Sequence, residues 1–71
     1  MPFYITFPER YRTEAHPFAD VEPDGYVRVS ADTITEAHQR AFSVFSAYYQ
    51  DILTEDELET ADFPLGELYA V

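Results

Sequence analysis

Apolar and polar positions alternate from Phe3 to Phe7: Phe3, Ile5 and Phe7 fall on one side, Tyr4 and Thr6 on the other. A period of two is the mark of a half-buried strand. Pro8 stops that strand or marks a sheet edge, because it has no N–H to offer a neighbour. The alternation returns from Tyr26 to Ala31, with Val27 and Val29 on one face and Tyr26, Arg28 and Ser30 on the other. Residues 9–25 read as a long connection carrying Pro17, Pro23 and the turn Pro23-Asp24-Gly25. A connection of this length is uncommon in a small domain and often functional. It holds Arg10, Tyr11, Arg12, His16 and Phe18, of which Tyr11 and Phe18 are expected to pack back onto the sheet.

The period then changes. Thr33 and Glu36 form an S/T-x-x-E capping box, in which a hydroxyl and a carboxylate satisfy backbone N–H groups at a helix start. Asp32 could cap instead, its charge favoured by the helix dipole. At about 100° per residue, Ile34, Ala37, Ala41, Val44, Phe45 and Tyr48 fall on one stripe. Thr35, Glu36, Gln39, Arg40 and Ser43 fall opposite, with His38 and Phe42 on a border. The helix is expected to end between Phe45 and Tyr49.

Residues 47–53 fit a helix or a strand, and their Tyr and Ile content favours a strand. A second T-x-x-E box at Thr54–Glu57 predicts a short helical turn over Glu55–Thr60. Phe63 to Gly66 reads as a turn. Glu67–Val71 reads as a last strand with Leu68 and Ala70 on one face. Tyr48 and Phe63 are assigned to the core, and Tyr49 to the surface. The expectation is a single α+β domain over residues 1–71. It has a small, mostly antiparallel sheet of three to four strands in β-β-α-β-β order, with one helix on one face.

Composition shows what can hold such a domain together. The 71 residues include six Phe, six Tyr and no Cys. Disulfides, thiolate zinc sites and a cysteine nucleophile are thereby excluded. Stability must come from packing, and each buried aromatic removes roughly 150–250 Å² from water. The N-terminus has neither a basic start nor a long apolar stretch, and no apolar run is long enough for a membrane span. A cytoplasmic protein is expected.

Charge changes the picture most. Fourteen acids face four bases, all Arg, for a formal net charge of −10. Such a field repels nucleic-acid phosphates and anionic lipid, and it steers a partner with a basic surface. Seven acids lie in the last third of the chain: Asp51, Glu55, Asp56, Glu57, Glu59, Asp62 and Glu67, with no Lys, Arg or His among them. They form either a solvated face or a docking surface. With Tyr49 they are the candidate partner-binding residues, since carboxylates on a rigid scaffold can imitate a line of phosphates. A second candidate interface is the sheet face opposite the helix, through Tyr4, Tyr26 and Arg28, in an adaptor that could form a homodimer.

Catalytic chemistry finds little support. His16 and His38 show no metal-ligand spacing, and Ser30, Ser43 and Ser46 lack a nucleophile-elbow context. Gly25 and Gly66 are too few for a phosphate-cradling loop, and Thr54–Glu59 lacks the calcium-loop pattern. No catalytic residue, metal or cofactor is expected, and the chain reads as non-enzymatic.

Several short motifs together resemble small hypothetical accessory proteins of actinobacterial bacteriophages. They are Tyr4-Ile5-Thr6-Phe7 with Arg10-Tyr11, His16-Pro17, Pro23-Asp24-Gly25-Tyr26-Val27, Glu36-Ala37 with Ala41-Phe42, and Phe63-Pro64 with Gly66-Glu67-Leu68. The resemblance spans most of the chain and implies a phage accessory protein with no known active site. In size and charge the chain is similar in style to phage inhibitors of host defence: DNA-mimic anti-restriction proteins, glycosylase inhibitors and anti-CRISPR proteins. The expected function is an inhibitor or modulator that binds a basic surface of a host nucleic-acid-binding protein, without touching nucleic acid or membrane itself. The alternative is the non-catalytic adaptor or assembly protein.

Overall fold

The computed structural model describes residues 1–18 and 21–71. Its elements are β1 (Pro2–Thr6), a 3-10 turn (Glu9–Arg12), β2 (Gly25–Ser30), α1 (Ile34–Phe45), β3 (Asp51–Thr54), a second 3-10 turn (Thr60–Asp62) and β4 (Gly66–Ala70). This is the expected α+β order. The ambiguous stretch after the helix resolves as a turn followed by β3. The predicted helical turn over Glu55–Thr60 is instead one hydrogen-bonded turn at 55–57, with the 3-10 turn following at Thr60. The 9–25 connection contains the first 3-10 turn, and its residues 19 and 20 lie outside the described ones.

The four strands form one sheet in the order β3-β1-β2-β4. β1 pairs antiparallel with both β2 and β3, whereas β4 pairs parallel with β2. The sheet is therefore mixed and mostly antiparallel. β2, β3 and β4 run one way and β1 runs against them. Parallel strands need a connection that returns along the sheet. Here α1 makes that return from β2 to β3 over one face, and residues 55–65 make it from β3 to β4 along the other.

The sequence explains the helix side. Thr33 accepts from the Glu36 N–H (3.2 Å), the forward half of the predicted capping box, while the Glu36 carboxylate reaches past the cap residue and accepts from the Asp32 N–H (3.4 Å). Ala37, Ala41 and Phe45 are buried against the sheet. The two alanines let the helix approach closely, and Phe45 fills the end of the core. The register sets Phe3 opposite Val29 and Ile5 opposite both Val27 and Ile52, so the apolar sides of three strands coincide. Phe7, Val21 and Ala31 complete the core, and Phe18 packs against it as expected.

Three assignments are corrected. Ile34 and Val44, placed on the buried stripe, are exposed: Ile34 is the first residue of the helix, and Val44 lies to one side of the narrower stripe that Ala37, Ala41 and Phe45 bury. Tyr48, placed in the core, is 42% exposed, while Phe63 is only half-buried. Leu68 and Ala70 do not share a face. Tyr26 pairs with Glu67 but Val27 pairs with Tyr69, so Leu68 is an extra residue in a bulge. The bulge lets both Leu68 and Tyr69 pack against the core. It also brings Leu68 so close to Gly25 that a Cβ there would sit 2.5 Å from its Cδ2, so a side chain at that point would have to push Leu68 aside.

Candidate functional site

On the face away from α1, Tyr4, Tyr26, Arg28 and Leu53 project from the strands, paired across the sheet as Tyr4 with Arg28 and Tyr4 with Leu53. Tyr4 and Tyr26 meet edge to face at 5.2 Å, and Phe63 meets Tyr26 the same way at 5.7 Å. The 55–65 segment thus lies as a strap over this face. It is held by Leu65 N–H donating to the Asp24 carbonyl (3.0 Å) and by a tight start, where Glu57 accepts from the Thr54 N–H (3.1 Å). Burial pushes the Tyr4 phenol above its ordinary value, with the nearby Glu55 carboxylate adding to the shift.

Between this strap and the first 3-10 turn lies an open cleft of about 520 Å³. Its floor comes from Thr6, Phe7, Gln50, Asp51 and Leu53, and its walls from Glu9, Arg12 and Pro23 on one side and Glu57, Glu59, Asp62 and Phe63 on the other. Five carboxylates and one guanidinium therefore share the space. Arg12 is bound to Asp24 and lies 3.7 Å from Glu9. Among the described residues, Asp51, Glu57, Glu59 and Asp62 form no ion pair with any Arg: Arg28 is held by Glu67 (3.2 Å), Arg40 by Glu36 (3.4 Å), and Arg10 lies over the Tyr11 ring and donates to its hydroxyl (3.0 Å).

The candidate partner-binding residues divide. Asp51, Glu57, Glu59 and Asp62 are gathered in the cleft. Glu55 and Asp56 are exposed in the turn after β3, outside it. Glu67 is engaged by Arg28 on the open sheet face. Tyr49, expected at the surface, is half-buried against the core, and its hydroxyl meets His38 Nδ1 at 3.2 Å. Its place outside is taken by Tyr48, because the chain reverses at Ser46 (φ 54°) and the helical period no longer applies. Tyr4, Tyr26 and Arg28 do share one sheet face, but Phe63 and Glu67 already contact two of them.

Sequence reasoning missed Glu9, which joins the cleft from a different part of the chain. No local signal marks it, since only the β1–β3 pairing brings residue 9 near Asp51. It also missed what His16 does. His16 Nδ1 accepts from the Phe18 N–H (3.0 Å), so Nε2 carries the proton and donates to the Tyr48 carbonyl (2.8 Å). The ring lies against Tyr11 (4.3 Å), Phe7 (5.5 Å) and Phe18 (5.7 Å). This histidine staples the long connection to the segment after α1. The local hint was the run of rings around Pro17. Among the described residues, no group of three or more His, Asp and Glu is placed to hold a metal ion, and no helix is long and apolar enough to cross a membrane. Comparison with protein-family models, with curated proteins and with solved structures finds no match for this chain.

Proposed function

We propose that this protein is a non-catalytic inhibitor or modulator that binds a basic surface of a nucleic-acid-binding protein through its acidic cleft. The observation that carries this reading is the gathering of Asp51, Glu57, Glu59 and Asp62 around one concavity with no arginine partner. Carboxylates held together repel one another; Glu57 caps the turn at Thr54, and among the described residues no ion pair offsets the charge of the other three. A partner's Lys or Arg would relieve that repulsion, and a net charge of −10 would steer the approach. Phe63 and Leu53 add apolar surface beside the charges, which gives contact area that ion pairs alone lack. The resemblance to phage accessory proteins suggests a bacterial host as the source of that partner, in the style of anti-restriction or anti-CRISPR proteins. The adaptor alternative, a homodimer through Tyr4, Tyr26 and Arg28, has less support, because Phe63 and Glu67 already occupy part of that face.

The test is capture from actinobacterial lysate at low and high salt, with the wild type and a D51N/E57Q/E59Q/D62N variant. A nucleic-acid-binding protein should be retained by the wild type at low salt, released as salt rises, and not retained by the variant. Equal retention by both proteins would remove the cleft from the account. The amide that E57Q introduces keeps an oxygen able to accept from the Thr54 N–H, so the variant retains the strap's turn.

A further inference from the structure

Two backbone groups of opposite kind hold His16. The Phe18 N–H can only donate, and it meets Nδ1 at 3.0 Å; the Tyr48 carbonyl can only accept, and it meets Nε2 at 2.8 Å. Together they admit one protonation state, the neutral ring with its proton on Nε2. An imidazolium carries a proton on each nitrogen, so its Nδ1–H would point at the Phe18 N–H, donor against donor. The bond to Tyr48 survives protonation; the bond to Phe18 does not. That second bond positions a ring that matters to the packing. Phe18 meets Phe45 at 5.5 Å and Tyr48 at 6.3 Å, and so joins the long connection to the end of α1. His38 is under no such constraint, because its Nδ1 faces the Tyr49 hydroxyl (3.2 Å), which can donate or accept.

We propose that His16 is a pH-sensitive latch: protonation of its ring breaks the bond to the Phe18 N–H and frees Phe18 from the end of α1. Imidazole ordinarily changes charge between about pH 5 and 8, so the latch is closed at neutral pH and opens in mild acid. The surroundings offer the imidazolium little in exchange. Phe7, just after β1, and Phe18 are uncharged, and Tyr48, after α1, presents its carbonyl and a phenol. Within the connection, Tyr11 packs on the His16 ring at 4.3 Å, and the Arg10 guanidinium lies over Tyr11 with Glu14 in its electrostatic reach. Among the described residues no carboxylate forms an ion pair with His16 that would offset the lost bond. The latch stands apart from the cleft and does not depend on what the cleft binds.

Nuclear magnetic resonance between about pH 8 and about pH 5 tests this, on the full chain as wild type, His16→Asn and His38→Gln. Three signals are followed: the His16 ring, the Phe18 amide shift, and Phe18 amide protection corrected for the intrinsic pH dependence of exchange. In the wild type the Phe18 amide should move with the same midpoint as the His16 ring, and its protection should fall about two- to tenfold, the loss of one ordinary hydrogen bond. An asparagine oxygen sits near the place of Nδ1 and accepts without titrating, so His16→Asn should show no such fall. His38→Gln should behave as the wild type. A Phe18 amide that stays put while the His16 ring titrates would overturn the latch. So would a His16 ring still neutral at the acid end, or a fall that persists in His16→Asn. A response that disappears in His38→Gln would assign the switch to His38 and overturn the latch as well.

Discussion

On the helix side of the sheet, Phe45, Ile5, Val27 and Val29 are fully buried, and Ala37 and Ala41 hold α1 against the strands. On the strap side no residue from 55 to 65 is buried, and only Leu58 and Phe63 reach even half-burial. One crossover is fixed by volume and the other by a few hydrogen bonds and one ring contact. The difference teaches where this small domain keeps its stability and where it has surface to spare. Packing constrains the identity of a buried side chain, because a lost methylene costs energy. It leaves the identity of Glu59 or Asp62 unconstrained, while Glu57 has a local role in capping the turn at Thr54, so the shared sign of the other two calls for another reason.

The largest test of this contrast is Phe45→Ala against Phe63→Ala. Truncating a fully buried Phe costs about 3–5 kcal/mol, a large part of the stability of so small a domain. Phe45 should approach that cost in chemical denaturation. Phe63, half-buried and in ring contact with Tyr26, should cost clearly less. Equal losses would mean that the strap is a second core layer and that the cleft is a by-product of folding.

The next test concerns the segment joining the two sides. Replacing His16 with Phe keeps a ring among Phe7, Tyr11 and Phe18 but leaves the Phe18 N–H and Tyr48 carbonyl without partners. Both groups are within reach of water, so each lost bond should cost about 0.5–1.5 kcal/mol, and hydrogen exchange at Phe18 should accelerate. Unchanged stability would show that ring contact alone ties down the long connection.

What the sequence disclosed follows the same division. The helix cap at Thr33, the Ala37–Ala41–Phe45 stripe and the two alternating strands were legible, because each depends on a pattern within one element. The parallel pairing of β4, the bulge at Leu68, the exchange of Tyr48 for Tyr49 and the entry of Glu9 into the cleft were not. They depend on how elements meet, and for the tyrosines on a chain reversal that no periodicity marks. Of the acids expected to act together, four converged because the strap returns across the end of β1 and β3, while Glu67 was drawn away by Arg28. Ser46 makes that reversal in a region favouring glycine (φ 54°, ψ −127°). Ser46→Gly should therefore raise stability by about 1 kcal/mol in thermal or chemical unfolding. A loss instead would mean that the hydroxyl contributes more than the backbone strain removes.

The smallest effect probes how well the strap side excludes water. Burial raises the Tyr4 phenol above the ordinary value of 10.0, and Glu55 adds to the shift. The fold therefore favours the neutral phenol. That contribution is fully present below the ordinary value and is lost as pH rises through the raised folded value. Tyr4→Phe cannot ionise, so across that alkaline window its denaturation midpoint should fall less steeply than that of the wild type. Glu55→Gln should ease the shift without abolishing it, because burial is the larger cause. If wild type and Tyr4→Phe fall with the same slope, the Tyr4 ring is as wet as a surface tyrosine. The strap would then lie too loosely over the sheet to hold Glu57, Glu59 and Asp62 as one charged wall.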